Sequence, residues 1–284
     1  MSGAFLGLEP RWSSRSESRF AVIKVPFDGT STWIKGADRG PGAIIDASAH
    51  LELYDIETDS EPYRAGIYTR DEDVTADTVD EMVLEVEKAV ADVFAQRGIP
   101  ILLGGEHSVT IGAVRAARSA FPALSVLQLD AHTDLREEYE GSANNHACVM
   151  ARVLELCPAV QVGIRSMDAS EKPSLRKGQV FFARDIMHDI AWMERVVEGL
   201  SDEVYITFDL DVLDPSIMPA TGTPEPGGLL WYDCLRLLRK VARQKRIVGF
   251  DVVELCPGVD HAPPFLASKL IYKIIGYICA GEHR

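Results

Sequence analysis

Apolar positions in this chain alternate between two periods over almost its whole length. Short continuous runs at Phe20–Val25, 99–103, 124–129, 160–164, 179–183, 204–208 and 246–252 read as strands buried on both faces. The stretches between them carry the 3.6-residue period of helices. The clearest is 78–97, with Val79, Met82, Val83, Val86, Val90 and Val93 in register and Gly98 as its stop. Pro41 opens an earlier helix holding Ile44, Ile45 and Leu51, at the first-turn position that proline favours. Further helices are predicted over about 108–120, 147–156, 192–200, 229–243 and 265–278. This alternation predicts the α/β class: a mostly parallel sheet covered by helices on both faces, a three-layer αβα arrangement. No repeat, low-complexity tract or Pro/Ser-rich linker divides the chain. Residues 1–284 are therefore expected to form a single domain, with 1–19 as an N-terminal extension.

At 284 residues and 46% hydrophobic, the chain can bury a substantial core. No apolar run is long enough for a bilayer, since even Leu270 to Ala280 is short and interrupted by Lys273. The first twenty residues lack the charged-then-apolar order of a secretory signal. Five scattered cysteines without CxxC spacing suggest neither a disulfide framework nor a cysteine zinc site. A reducing cytoplasm is the expected compartment. The net charge of -14 argues against nucleic acid, whose binding requires Lys and Arg to neutralise phosphates. It would suit a cationic substrate, although surface carboxylates also serve solubility alone.

Three strand ends carry the candidate chemistry. The run ending at Leu129 leads into Asp130-Ala131-His132-Thr133-Asp134, where alternate side chains project to one side. Alone, that stretch also fits a polar turn whose Asp and His satisfy local backbone groups. The strand ending at Phe208 leads into Asp209-Leu210-Asp211, again with two carboxylates on one side. Ionised carboxylates so close repel each other unless a cation lies between them, which favours metal over a turn. Gly104-Gly105-Glu106-His107-Ser108 sits at a strand-to-helix turn and would bring His107 to the same carboxyl edge. A lone histidine there is more often a capping or packed residue. Together, however, His107, Asp130, His132, Asp134, Asp209 and Asp211 supply four carboxylates and two imidazoles. That set suits two divalent ions sharing bridging carboxylates. Rich in oxygen, with imidazole but no thiolate, it favours Mn²⁺ over a structural Zn²⁺.

With these motifs the chain resembles the ureohydrolase family, which includes arginase and agmatinase. GGEHS is similar to that family's GGDHS, DAHTD to its DAHxD, and FDLDVLDP to its SxDxDxxDP-like motif. The resemblance runs from VPFDGTS and GADRGPGAI near the start to DVVEL near the end. It implies an arginase-like fold with an eight-stranded sheet, two Mn²⁺ per subunit, and a homotrimer or homohexamer. It further implies that His107 and Asp134 hold one ion, His132 and Asp211 the other, and that Asp130 and Asp209 bridge. A hydroxide between the ions, oriented by Asp134, would attack a guanidinium carbon and release urea and an amine. His146 matches the family's proton-shuttle histidine, and would otherwise be a helix-start residue. Glu254 matches the carboxylate that pairs with the substrate guanidinium, which suits a planar donor of two parallel hydrogen bonds. Otherwise Glu254 would be a polar strand end.

The loop after DAHTD bears on the substrate. Arginase-like chains carry an INTP-containing stretch there that holds the amino-acid end of arginine. Leu135 to Glu140 instead resembles the DLRxxYxG pattern of agmatinase-like members, placing acidic side chains where a substrate carboxylate would be met. Arg136, Asn144 and Asn145 are the further expected substrate contacts. The expected activity is Mn-dependent hydrolysis of agmatine to putrescine and urea, with a small cationic guanidino compound as the partner and neither nucleic acid nor membrane. Guanidinobutyrate or arginine are alternative substrates. A catalytically silent regulator of polyamine enzymes is the alternative of another class, and retention of all six ligands, His146 and Glu254 counts against it. Glu106 departs from the family's usual Asp, Ala220 from a Gly, Asn144 and Asn145 from a Tyr-Ser pair, and Cys256 from an Asn.

Overall fold

Eight parallel strands form one sheet in this computed structural model, which describes residues 3–281. The outermost residues of the expected 1–284 domain lie outside the described residues. In chain order the elements are β1 (Phe20–Val25), α1 (Gly40–Ser48), β2 (Ile67–Thr69), α2 (Val79–Ala95), β3 (Ile99–Gly104), α3 (Val109–Ala120), β4 (Ser125–Leu129) and α4 (Val149–Leu156). There follow β5 (Ala159–Ile164), β6 (Val180–Phe182), α5 (Ala183–Ile186), α6 (Trp192–Glu198), β7 (Glu203–Asp209), α7 (Trp231–Gln244), β8 (Arg246–Val253) and α8 (Ala262–Gly281).

Side chains of successive strand residues divide between two helix layers, as the period of two requires. Val22, Ile101, Leu127, Leu129, Ile206 and Phe250 pack with residues of α1, α6, α7 and α8. Ile23, Leu102, Val126, Tyr205 and Val253 pack with residues of α2, α3 and α4. The spatial order is β2-β1-β3-β8-β7-β4-β5-β6, every pair parallel. Passing from β3 to β4, the chain leaves a gap that β8 and β7 later fill. The carboxyl ends of β3, β8, β7 and β4 thus lie side by side at the centre of the sheet. Such a crevice is where open α/β sheets bind ligands.

Seven strands match the apolar runs. The eighth, β2, has three residues, too few to show a period, and follows a left-handed Gly66. Ala183, read as strand, begins α5 instead. Helix α2 starts after Thr78, whose Oγ1 accepts from the Glu81 N–H. The expected N-terminal extension packs into the core through Phe5 and Leu6. Their N–H groups donate to Thr69 Oγ1 and Ser48 Oγ at 2.9 and 2.8 Å. Buried Lys273 of α8 lies 2.8 Å from Asp55 Oδ2 and 3.0 Å from Glu57 Oε2, and Tyr277 donates to Glu57 at 2.7 Å. Among the described residues, no helix is long and apolar enough to cross a membrane.

Candidate metal and substrate site

At the end of β3 the chain crosses the Pro26–Phe27 segment closely enough that only glycine fits. A Cβ on Gly105 would lie 1.9 Å from the Phe27 carbonyl oxygen. That approach lets Gly105 N donate to Val25 O and Glu106 N to Phe27 O, which sets His107 over the centre of the sheet. Asp130, His132 and Asp134 follow β4, while Asp209 ends β7 and Asp211 lies in the turn after it. Asp134 takes a left-handed backbone, φ 50°, and its carbonyl accepts the N–H groups of Met150 and Ala151 at the start of α4. Non-glycine residues pay on the order of 1–3 kcal/mol for such a conformation. Glu254, at φ 66°, is the second such residue in the site.

The six expected ligands converge. His107 Nδ1 lies 3.0 Å from Asp134 Oδ2, 3.2 Å from Asp130 Oδ2 and 3.3 Å from Asp209 Oδ2. His132 Nδ1 lies 2.9 Å from Asp211 Oδ2 and 3.6 Å from Asp130 Oδ1. Two three-residue groups can each hold an ion, His107–Asp130–Asp134 and Asp130–His132–Asp211, with Asp130 common to both.

Without a cation, the crowded carboxylates draw protons onto the imidazoles. Burial works to lower His107, but Asp130, Asp134 and Asp209 hold it well above its ordinary value. Burial likewise opposes protonation of His132, yet Asp211 and Asp130 push it up to about 12. Burial and the Asp130 charge raise Asp134 to about 6, and burial with the charges of Asp211 and Asp130 raises Asp209 well above the usual range. For Asp130, burial is outweighed by His107 and His132, which hold it low.

The fit to metal is visible at one atom. His107 Nδ1 is buried, faces three carboxylates, and has no hydrogen-bond partner. The opposite ring nitrogen, Nε2, lies 2.8 Å from Thr207 Oγ1, whose own proton goes to Asp251 Oδ1 at 2.7 Å. Thr110 donates to Asp251 Oδ2. Thr207 therefore accepts from Nε2–H and leaves the Nδ1 lone pair to face the carboxylates, the tautomer a metal ligand needs. Asp130 is held in the same manner. Fully buried Gln128 on β4 donates Nε2–H to Asp130 Oδ2 at 2.7 Å, and Gln161 on β5 donates to Gln128 Oε1 at 2.6 Å and to the Thr133 carbonyl at 2.8 Å.

Beside the cluster opens a cavity of about 210 Å³, lined by His107, His132, Asp134, His146, Asp209, Asp211 and Glu254, and also by Trp33, Arg136, Tyr139, Asp168 and Glu171. Glu254 accepts the His107 backbone N–H at 2.7 Å, and burial with the Glu106 charge raises its pKa well above normal. A cation in the cavity would relieve that cost. His146 is pulled down to about 4 by burial and by the charges of His107 and His132.

Arg136 lines the cavity, stacked 4.6 Å over Tyr139 and within 3.7 Å of Asp168 and 3.6 Å of Glu171. Asn144 and Asn145 are placed elsewhere. Asn145 Oδ1 caps the Ala147 N–H, and Asn144 Nδ2 donates to Asp80. Glu137, one of the acids expected to meet the substrate, pairs with Arg152 instead. Asp168 and Glu171, which follow β5 and carried no motif of their own, also line the cavity, and buried Glu171 accepts the Leu135 and Asp168 N–H groups and the Thr133 hydroxyl. Trp33 was likewise not singled out, since an aromatic in a Gly-rich loop has no signature.

The chain is similar to known proteins. The model of the arginase family matches residues 18–276. An N(1)-aminopropylagmatine ureohydrolase of Synechocystis sp. is 37% identical over 277 residues, covering 93% of this chain and 90% of that protein. The agmatinase of Pyrococcus horikoshii is 32% identical, covering 92% of each chain. The crystal structure of the agmatine ureohydrolase of Thermoplasma volcanium superposes with a TM-score of 0.86 at 33% identity, covering 94% of this chain and 92% of that one.

Proposed function

This chain belongs to the arginase family and is a ureohydrolase, and from that premise we propose that its substrate is a linear polycationic guanidine of the agmatine type, with N1-aminopropylagmatine ahead of agmatine itself. The carrying observation is the cavity. Buried Glu254 lies among the candidate ligands, and the same cavity is lined by exposed Trp33 and by Tyr139 and Asp168, which suit an extended amine rather than a carboxylate. Relatives of 37–39% identity named for aminopropylagmatine support the longer substrate over agmatine.

The six ligands would hold two divalent ions, Mn²⁺ by their donor chemistry: His107 and Asp134 on one, His132 and Asp211 on the other, Asp130 and Asp209 shared. When bound, such ions lower the pKa of a water to that of an effective nucleophile near neutral pH. Glu254 receives the guanidinium through parallel hydrogen bonds and sets its carbon facing the metal ligands. Asp134 accepts a hydrogen bond from the attacking water and fixes its direction. His146 moves the proton that the departing amine requires. The left-handed backbones of Asp134 and Glu254 place both carboxylates in the same small volume.

Urea release from N1-aminopropylagmatine, agmatine, guanidinobutyrate and arginine, each with Mn²⁺, tests the reading. Highest kcat/KM on aminopropylagmatine is expected. Preference for guanidinobutyrate or arginine would sink it, because both carry a carboxylate that the proposed polycationic substrate lacks.

A further inference from the structure

We infer that Thr30, held by the buried carboxylate of Glu106, fixes the proton of His146 on Nδ1 and leaves the Nε2 lone pair free for proton transfer to the leaving amine. This rests on the shuttle role proposed for His146. Three groups converge on Thr30 Oγ1: the His146 backbone N–H at 3.0 Å, His146 Nδ1 at 3.1 Å, and Glu106 Oε2 in a short contact. A hydroxyl has one proton and two lone pairs, so all three positions are used. The backbone N–H can only donate, and takes one lone pair. Glu106 Oε2 takes the hydroxyl proton, since it accepts the Thr30 N–H at 3.0 Å as well. Glu106 Oε1 accepts the Ser108 hydroxyl, so both oxygens of this carboxylate serve as acceptors. The second lone pair of Thr30 therefore receives Nδ1–H.

That tautomer is the one the reaction needs. In the neutral tetrahedral intermediate, Nε2 takes the proton of the carbon-bound hydroxyl and passes it to the leaving nitrogen. The C–N bond breaks with its electron pair remaining on the amine, and the C=O bond of urea forms. Glu106 also explains its departure from aspartate. An aspartate ends one methylene shorter and would withdraw the carboxylate from Thr30. Thr30 and Glu106 are positioning residues, since neither lines the cavity.

The test is a double-mutant cycle in the Mn-loaded enzyme, reading urea release from its best guanidino substrate. Thr30→Val should lower kcat about tenfold, the effect typical of a lost orienting partner. KM and metal content should stay unchanged, and Thr30→Ser should restore turnover. In a His146→Ala background, Thr30→Val should add no further loss, because it acts only through that ring. Unchanged kcat in Thr30→Val, or an equal loss with and without His146, overturns the inference while leaving the ureohydrolase reading intact. Wild-type protein that releases no urea from any guanidine overturns both.

Discussion

His107 Nδ1 and Asp134 Oδ2 stand 3.0 Å apart in a buried pocket without forming a hydrogen bond. Thr207 turns the ring's N–H away on the other side. An imidazole lone pair aimed at carboxylates is unfavourable unless a proton or a cation intervenes. The two candidates compete, and that competition has a measurable sign.

Both imidazoles have pKa values raised above the ordinary 6.5 when no cation is present, His132 to about 12. They therefore remain protonated through neutral pH, and an ion must displace one proton from each. Mn²⁺ affinity should rise with pH across the neutral range, and calorimetry in buffers of different ionisation heat should register the released protons. Affinity independent of pH between roughly 7.5 and 9, where a free histidine would already be neutral, would show that the ions displace no protons from these imidazoles.

Gln128 should matter to metal although it would touch none. Gln128→Leu removes the donor that fixes Asp130 Oδ2, and loss of such an outer partner typically weakens affinity about 10- to 100-fold. Competitive titration of Mn²⁺ against a fluorescent chelator reads this directly. Unaltered affinity would reduce the Gln161–Gln128 pair to packing.

Stability has its own buried ionic group in Lys273, Asp55 and Glu57. Burial opposes ionisation of Asp55, but Lys273 and the Thr58 N–H hold its pKa low, and Tyr277 with Lys273 does the same for Glu57. Lys273 is raised by these carboxylates against the effect of burial. Depressed carboxylates stabilise above their unfolded values near 4 and lose that as pH falls through the folded ones, whereas a raised lysine stabilises below about 10.4 and loses it as pH rises. Lys273→Ala should cost about 3 kcal/mol in denaturant unfolding between roughly pH 5 and 10, with the difference shrinking outside that window. A pH-independent cost would mean that only lost packing was measured.

At the cavity mouth, Trp33 is 73% exposed. A cation–π contact at such a ring is worth roughly 1 kcal/mol, or about fivefold. Trp33→Ala should raise KM for N1-aminopropylagmatine by that factor and change kcat little. The same rise for guanidine itself, which has no tail, would assign Trp33 a structural role instead.

The convergence of the candidate ligands was legible because alternate residues at a strand end must share a side, as they do in DAHTD and Asp209–Asp211. Gln128 and Thr207 lie two residues before Asp130 and Asp209 on the same strands. As neutral polar residues within apolar runs they carried no ligand signature, and only the packed sheet brings Gln161 and Asp251 to them. The contact of Thr30 with His146 joins residues 116 apart and depends on the Gly105 crossing. Asn144 and Asn145 were expected at the substrate because they precede His146. Asn145 is used locally, since a short asparagine beside a helix start finds a backbone N–H more readily than a cavity, while Asn144 reaches Asp80 at the start of α2. Asp168 and Glu171 line the cavity beside Arg136, and neither carried a motif that would have marked it in the sequence.

The measurement that bears most directly on the six-ligand centre is the number of ions per chain, taken by elemental analysis after Mn²⁺ loading and removal of excess metal. Two ions per chain are expected for the unmodified protein, and His132→Ala should hold fewer and release no urea. A single ion in the unmodified protein, or full metal content and turnover in His132→Ala, would show that the six side chains do not form a binuclear centre.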